Sequence, residues 1–312
     1  MSDLFLGIDT SNYTTSSALF GENRVVENRK KLLPVKAGEK GLRQSDAVFH
    51  HVRQLPEVLG PLLEGLKEPP RAIGVSVSPT TEKDSYMPCF LVGKTTAHLL
   101  GNAWGVPVEE FSHQQGHLAA ALYSAGKLDL LERRFLAFHV SGGTTEALLV
   151  TPGEDGTPQV SLAARSLDLK AGQAVDRVGV MLGLPFPCGP ALEQLALQWE
   201  GKVTYRPVLK GADCSLSGIE NQCRALLDKG EPPEEIARHC LEAIALVLDR
   251  MCETLLEELG DLPVVFSGGV CSNSLLRRRL SSKYGGYFAA PEFSSDNGAG
   301  AAVLAWRKRG VQ

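Results

Sequence analysis

The chain has 312 residues, 43% hydrophobic and 22% charged, enough for one large globular domain or two lobes. Its formal net charge of -4 excludes a bulk electrostatic pull toward nucleic acid, and the basic runs Arg277-Arg278-Arg279 and Arg307-Lys308-Arg309 read as solvated helix faces. Seven scattered cysteines with no Cys-x-x-Cys pair, no signal-peptide layout at the N-terminus and no apolar run of membrane-spanning length predict a cytoplasmic chain with reduced thiols, no disulfide framework and no membrane.

The apolar run from Leu4 to Asp9 predicts a buried strand that ends at an acid. A turn over Thr10 to Thr15 leads to strands over Ser16–Phe20 and Arg24–Asn28, a hairpin meander. Hydroxyls and backbone N–H groups in that first turn suit a phosphate or a metal-linked oxyanion, but taken alone the stretch reads as a plain hairpin turn. Val48, Val52, Leu55, Val58, Leu62 and Leu63 recur at helical spacing and predict a helix over 48–66. A strand over Ala72–Ser78, a polar loop over 79–85 and a helix over Phe90–Ala103 follow, so the first third is α/β.

Ser112-His113-Gln114-Gln115-Gly116-His117 opens an Ala/Leu run that reads as a helix. Histidines four apart share one helical face and can grip one transition metal. The same pair also suits a half-buried arrangement hydrogen-bonded to backbone. The metalloprotease pattern at this spacing places Glu after the first histidine as general base; Gln114 cannot take a proton, which argues against a protease.

Phe135–Val140 predicts a strand running into the turn Ser141-Gly142-Gly143-Thr144, with strands over Glu146–Val150 and Gln159–Ala164 after it. This order of strand, hydroxyl- and glycine-rich turn, strand, turn, strand repeats the opening, which predicts a structural repeat without a repeated sequence. Helices are expected over Lys170–Leu182, bearing Asp176, from Pro190 to about Trp199, and as one long element over Glu234–Leu259 after Pro232-Pro233. The strand Leu262–Phe266 feeds Ser267-Gly268-Gly269-Val270-Cys271-Ser272-Asn273, and a helix starts near Ser274. Such a strand, Gly-Gly turn and helix lets backbone approach a ribose or phosphate. A short strand over 287–289 and an Ala-rich terminal helix with Asp or Ser near its N-cap close the chain.

Seven motifs in order carry a resemblance: Gly7-Ile8-Asp9-Thr10-Ser11, His113-x-x-x-His117, Val140-Ser141-Gly142-Gly143-Thr144-Thr145, Ala171-Gly172-Gln173-Ala174-Val175-Asp176-Arg177, Ser215-Leu216-Ser217-Gly218-Ile219, Ser267 to Asn273, and Ser294-Ser295-Asp296-Asn297-Gly298-Ala299. Over nearly its whole length the chain resembles the TsaD family of tRNA threonylcarbamoyladenosine synthases. The resemblance implies an actin-like (ASKHA) two-lobed α/β fold, each lobe a ribonuclease-H-like mixed sheet with helices. We expect one lobe over residues 1–110 with 292–312 and the other over 111–291. It implies one divalent metal, Fe or Zn, held by His113, His117 and Asp296. It implies an adenylate nucleotide, threonylcarbamoyl-AMP or ATP, held by Val140, Ser141, Gly142, Gly143 and Thr144 with Asp176, Gly189 and Asn273. The implied reaction moves a threonylcarbamoyl group from threonylcarbamoyl-AMP to N6 of adenosine in tRNA, with TsaB-like and TsaE-like subunits and tRNA as the implied partners.

The chain also departs from the family pattern. The usual Ser-Cys-Asp-Glu-Thr reads Ser11-Asn12-Tyr13-Thr14-Thr15, so Tyr13 stands where the family has an acid; a phenol with a pKa of about 10 is a poor base near neutrality. The His-Thr after Ser-Gly-Gly is Thr144-Thr145, and a Gly-Pro-Gly-rich loop is replaced by Pro79 to Asp84. An Asp-Asp pair reads Asp168-Leu169, the Glu of the fourth motif is Gln173, and a Gly-Gly before Pro is Cys188-Gly189. These changes leave two further readings open: a paralogue that carbamoylates another acceptor, and a non-catalytic metal- and nucleotide-binding regulator.

Overall fold

Every residue of β1 (Phe5–Asp9) and β2 (Thr14–Gly21) is buried, whereas β3 (Arg24–Leu32) is charged and largely exposed. Strands buried on both faces need cover on both sides, and a charged outer strand closes the edge. In the computed structural model, which describes residues 3–11, 13–34, 42–294 and 296–310, that is the arrangement found. Asn12 and Ser295, quoted in the motifs above, lie outside the described residues. β1 pairs antiparallel with β2 and parallel with β4 (Ala72–Ser78), and β4 runs parallel to β5 (Val108–Ser112), giving the order β3-β2-β1-β4-β5.

Side chains alternate across these strands. Leu6, Ile8, Ile73 and Val75 meet Leu55, Leu59 and Leu62 of α1 (Gln44–Glu64) and Ala97 of α2 (Phe90–Trp104). Phe5, Phe20 and Ala72 meet Ala119 of α3 (His113–Ser124) and Ala302 to Ala305 of the C-terminal helix Ala299–Gly310. That last helix lies directly on the sheet. A Cβ on Gly7 would stand 2.1 Å from the Gly298 carbonyl oxygen, and one on Gly74 2.1 Å from that of Ala301.

The second sheet repeats the plan. β6 (Phe135–Val140), β7 (Thr145–Thr151) and β8 (Gln159–Arg165) form a meander, and β11 (Val264–Ser267) and β12 (Tyr287–Phe288) extend it as parallel strands, in the order β12-β11-β6-β7-β8. A two-residue ladder joins β9 (Leu209–Lys210) to β10 (Asp213–Cys214). Helices α4 (Ala171–Met181), α5 (Gly189–Ala196), α6 (Ser217–Asp228), α7 (Pro233–Leu259) and α8 (Ser274–Tyr284) supply Val178, Leu192, Ile219, Ile244, Leu248 and Leu276 to a core with Phe138 and Phe266. α7 is a single element, with Pro233 in its first turn and Gly260 at φ 92° ending it. All seven cysteines are buried and free. No described helix is long and apolar enough to cross a membrane.

The structure differs from the sequence expectations in four places. The first unit runs over Met1–Glu132, Pro152–Val160 and Glu292–Gln312, and the second over Arg133–Thr151 and Ser161–Pro291. The expected boundary at residue 110 therefore moves to 132, because Ala119 of α3 shares a core with Ala302 of the C-terminal helix. α1 starts one turn earlier than Val48, on the polar residues Gln44-Ser45-Asp46, and runs through Pro56 and Pro61. α6 carries no sequence expectation; its buried residues Ile219 and Cys223 leave a short apolar stripe. Asn297, not Asp or Ser, caps the C-terminal helix, its Oδ1 accepting the Ala299 N–H at 3.1 Å.

Candidate functional site

The helix α3 begins where Ser112 and Gln115 form a capping box. Ser112 Oγ accepts the Gln115 N–H at 3.2 Å, and Gln115 Oε1 accepts the Ser112 N–H at 2.8 Å. That fixes His113 as the first helical residue and His117 one turn on. The rings lie 4.2 Å apart between centroids at 69°. The C-terminal helix brings Asp296 to them: its Oδ1 is 3.4 Å from His113 Nε2 and 3.2 Å from His117 Nε2. One ligand atom from each of the three lies within 4.8 Å of the others, the one such group of three or more found among the described residues.

These edges match an ion's coordination sphere. Ligand bonds of about 2.1 Å in a tetrahedral arrangement put donor atoms about 3.4 Å apart. Two imidazole nitrogens and a carboxylate, none with a thiolate, suit a divalent transition metal and leave positions open. Behind His113 sits an acid that sequence reasoning placed at the end of a strand and in the first motif, without a role. Asp9 Oδ2 is 2.8 Å from His113 Nδ1, and its Oδ1 accepts the Ser11 N–H at 2.9 Å.

The charges follow. Burial opposes a charge on His113, yet the Asp9 carboxylate and Asp296 outweigh it and raise the imidazole to about 10. Burial also opposes ionisation of Asp296, but hydrogen bonds from both imidazoles hold its carboxyl well below the usual range. Asp9, likewise buried, is lowered by His113. Protons hold the three donors together in the way an ion would.

The second unit contains a cavity of about 330 Å³. Of the eight residues expected at the nucleotide, Gly142, Asp176, Gly189 and Asn273 line it; Val140, Ser141, Gly143 and Thr144 do not. Val140 is buried in β6. Ser141 is turned inward on its own loop: its Oγ accepts the N–H groups of Gly143 at 3.3 Å and Thr144 at 3.1 Å. A Cβ on Gly172 would lie 2.6 Å from the Gly142 backbone, so the start of α4 packs directly on the turn. Asp176 Oδ1 accepts the Cys188 N–H at 2.9 Å, which fixes the carboxylate against the wall. Asn273 Oδ1 caps α8 through Leu275 and Leu276 N–H, so a ligand contact falls to its amide nitrogen. Sequence reasoning missed Glu193, which lines the same cavity and accepts the Ser274 N–H at 2.8 Å. Its position four residues after Gly189 on α5 was the available signal.

Residues 41–303 match the family described as TsaD: tRNA N6-adenosine threonylcarbamoyltransferase. Among solved structures, the chain is similar to full-length HypF in its phosphate- and nucleotide-bound form, at 14% identity and a TM-score of 0.62, over 99% of this chain and 56% of that one. It is similar to component A of the (R)-2-hydroxyglutaryl-CoA dehydratase of Acidaminococcus fermentans, at 17% identity and a TM-score of 0.56, over 99% and 100% of the two chains. It is similar to the activator of the 2-hydroxyisocaproyl-CoA dehydratase from Clostridium difficile with bound ADPNP, at 12% identity and a TM-score of 0.53, over 98% and 94%. The fold is the actin-like α/β fold, with a mixed five-stranded sheet in each unit.

Proposed function

Because the chain belongs to the TsaD family, we propose that it moves a threonylcarbamoyl group from threonylcarbamoyl-AMP to N6 of adenosine in tRNA. In that transfer a bond forms between N6 and the carbamoyl carbon, the bond from that carbon to the AMP oxygen breaks, and N6 gives up a proton. The observation that carries the reading is the meeting of His113, His117 and Asp296 from distant parts of the chain. These three would hold one Fe or Zn ion. Such an ion, when bound, supplies a Lewis acid and a template for oxygen ligands.

The remaining roles belong to side chains and backbone. Asp176 is fixed to accept ribose hydroxyls, Gly142 and Gly189 leave room for the nucleoside, and Val175, Leu241 and Val270 give the cavity apolar walls. Holding the donor this way supplies orientation, a large share of any acyl transfer. The nucleotides in two of the similar structures are in keeping with this use of the fold. TsaB-like and TsaE-like subunits complete the proposed assembly, with tRNA as the acceptor.

Tyr13 favours a second reading, in which the carbamoyl group goes to another acceptor. Tyr13 is 41% exposed, and the family acid is missing there. One experiment separates the two. Metal-loaded protein, with the two subunits supplied, is incubated with threonylcarbamoyl-AMP and unmodified tRNA, and digested nucleosides are read by mass spectrometry. Modified adenosine supports the first reading. With small amines added, transfer of the carbamoyl group to the amine nitrogen with release of AMP, and tRNA left unmodified, supports the second.

A further inference from the structure

We infer that Asp9 is a positioning residue for the ion site: it keeps a proton on His113 Nδ1, so that Nε2 is the nitrogen offered beside His117 and Asp296. The inference rests on the reading of those three residues as metal ligands. Asp9 is the last residue of β1, the middle strand of its sheet, and is 1% exposed. Both carboxylate oxygens are engaged, Oδ2 with His113 Nδ1 at 2.8 Å and Oδ1 with the Ser11 N–H at 2.9 Å. The group therefore cannot swing toward the ion. An ionised carboxylate only accepts hydrogen bonds, so the His113 nitrogen facing it must be the donor.

A ring protonated at Nδ1 binds a metal only through Nε2. That atom is the one 3.4 Å from Asp296 Oδ1, while His117 Nε2 reaches the same oxygen at 3.2 Å. The three donors converge and Asp9 stands behind them. A carboxylate in this place fixes the ring and makes its free nitrogen more basic, and losing it costs about 10–100-fold in metal affinity.

The isosteric change Asp9→Asn tests the idea because it cannot satisfy both neighbours. With its oxygen toward the Ser11 N–H, its NH₂ faces His113 and drives the ring proton to Nε2. With its oxygen toward His113, its NH₂ confronts the Ser11 N–H. Zn²⁺ titration near neutral pH against a chromophoric chelator should give one ion per wild-type chain and affinity lower by about 10–100-fold in Asp9→Asn. His117→Ala serves as the control that removes a ligand outright. Equal Zn²⁺ affinity in wild type and a folded Asp9→Asn overturns the inference alone. No Zn²⁺ binding by wild type overturns the ligand reading and this inference with it. A measurement on wild type also decides the matter should Asp9→Asn not fold. Long-range ¹H–¹⁵N spectra of the Zn²⁺-loaded protein should show His113 protonated at Nδ1 and metal-bound at Nε2, and the opposite assignment refutes the role.

Discussion

Gly300 of the C-terminal helix rests on Gly116 of α3, so closely that a Cβ on Gly300 would lie 1.8 Å from the Gly116 carbonyl oxygen. Gly116 stands between the two histidines, and Gly300 lies one turn beyond Asp296. The contact therefore sets the distance from carboxylate to imidazoles. In an isolated helix, Gly→Ala gains about 1 kcal/mol. Here the methyl meets backbone that cannot yield, so Gly300→Ala should lose about 2–3 kcal/mol in urea denaturation and weaken Zn²⁺ binding. An unchanged unfolding midpoint would show that the helices separate freely.

Removing the shared carboxylate should abolish ion binding without unfolding the protein. Asp296→Ala leaves two imidazoles 4.2 Å apart with no anion between them. Loss of a direct ligand exceeds the roughly 10–100-fold cost of losing an outer partner, so Zn²⁺ affinity should fall by more than about 100-fold. Metal content after dialysis, by mass spectrometry, is the readout; a full equivalent of zinc in the variant would count against the site.

His51 predicts an acid limb to the stability curve. It is fully buried on α1, and its Nδ1 lies 2.8 Å from Thr15 Oγ1. The Thr15 hydroxyl donates to Gln54 Oε1, so the His51 proton sits on Nδ1 and the buried Nε2 has no hydrogen-bond partner. Burial accordingly pushes His51 down to about 4 from 6.5. A lowered folded pKa contributes stability above pH 6.5 that is lost as pH falls through about 4. The raised His113 has the opposite sign in the metal-free protein: its contribution is complete below pH 6.5 and fades as pH rises through about 10. The loss between pH 6.5 and 4 should reach about 3 kcal/mol and be absent in His51→Gln. Parallel curves for the two proteins would exclude the assignment.

The cavity in the second unit should be closable from one position. A Cβ on Gly189 would meet nothing nearer than Val175 Cγ1 at 4.0 Å. Gly189→Leu can therefore grow into the open space, at the cost of some backbone strain from a side chain placed just before Pro190. AMP affinity by calorimetry should drop by tenfold or more, on the order of 1.4 kcal/mol, while the unfolding midpoint stays within about 2–4 °C. Retained affinity would place the nucleotide elsewhere.

The sequence made the strands and most helices legible because their signals are local. Burial along β1, the periodicity of α1 and Pro232-Pro233 ahead of α7 are each contained in one segment. The histidine pair was legible for the same reason, since i and i+4 share a face of α3. Asp296 entered through a family resemblance; nothing in its neighbours announces a partner so far back in the chain. Asp9 and Glu193 escaped because their significance is relational. Asp9 matters through an imidazole on another element, and Glu193 through a cavity assembled from several helices. Of the turn Ser141 to Thr144 only Gly142 lines the cavity, and Ser141 accepts two N–H groups of its own loop, which leaves its hydroxyl proton free to donate.

The order of the three donors along the polypeptide would govern when an ion could be captured. During synthesis both imidazoles emerge first, and the whole of the second unit follows before Asp296 does. A nascent chain would thus offer two of the three donors and hold an ion only weakly. Were these three donors to hold an ion, tight loading would wait until translation had passed the carboxylate, so metallation would belong to the finished polypeptide rather than to the ribosome.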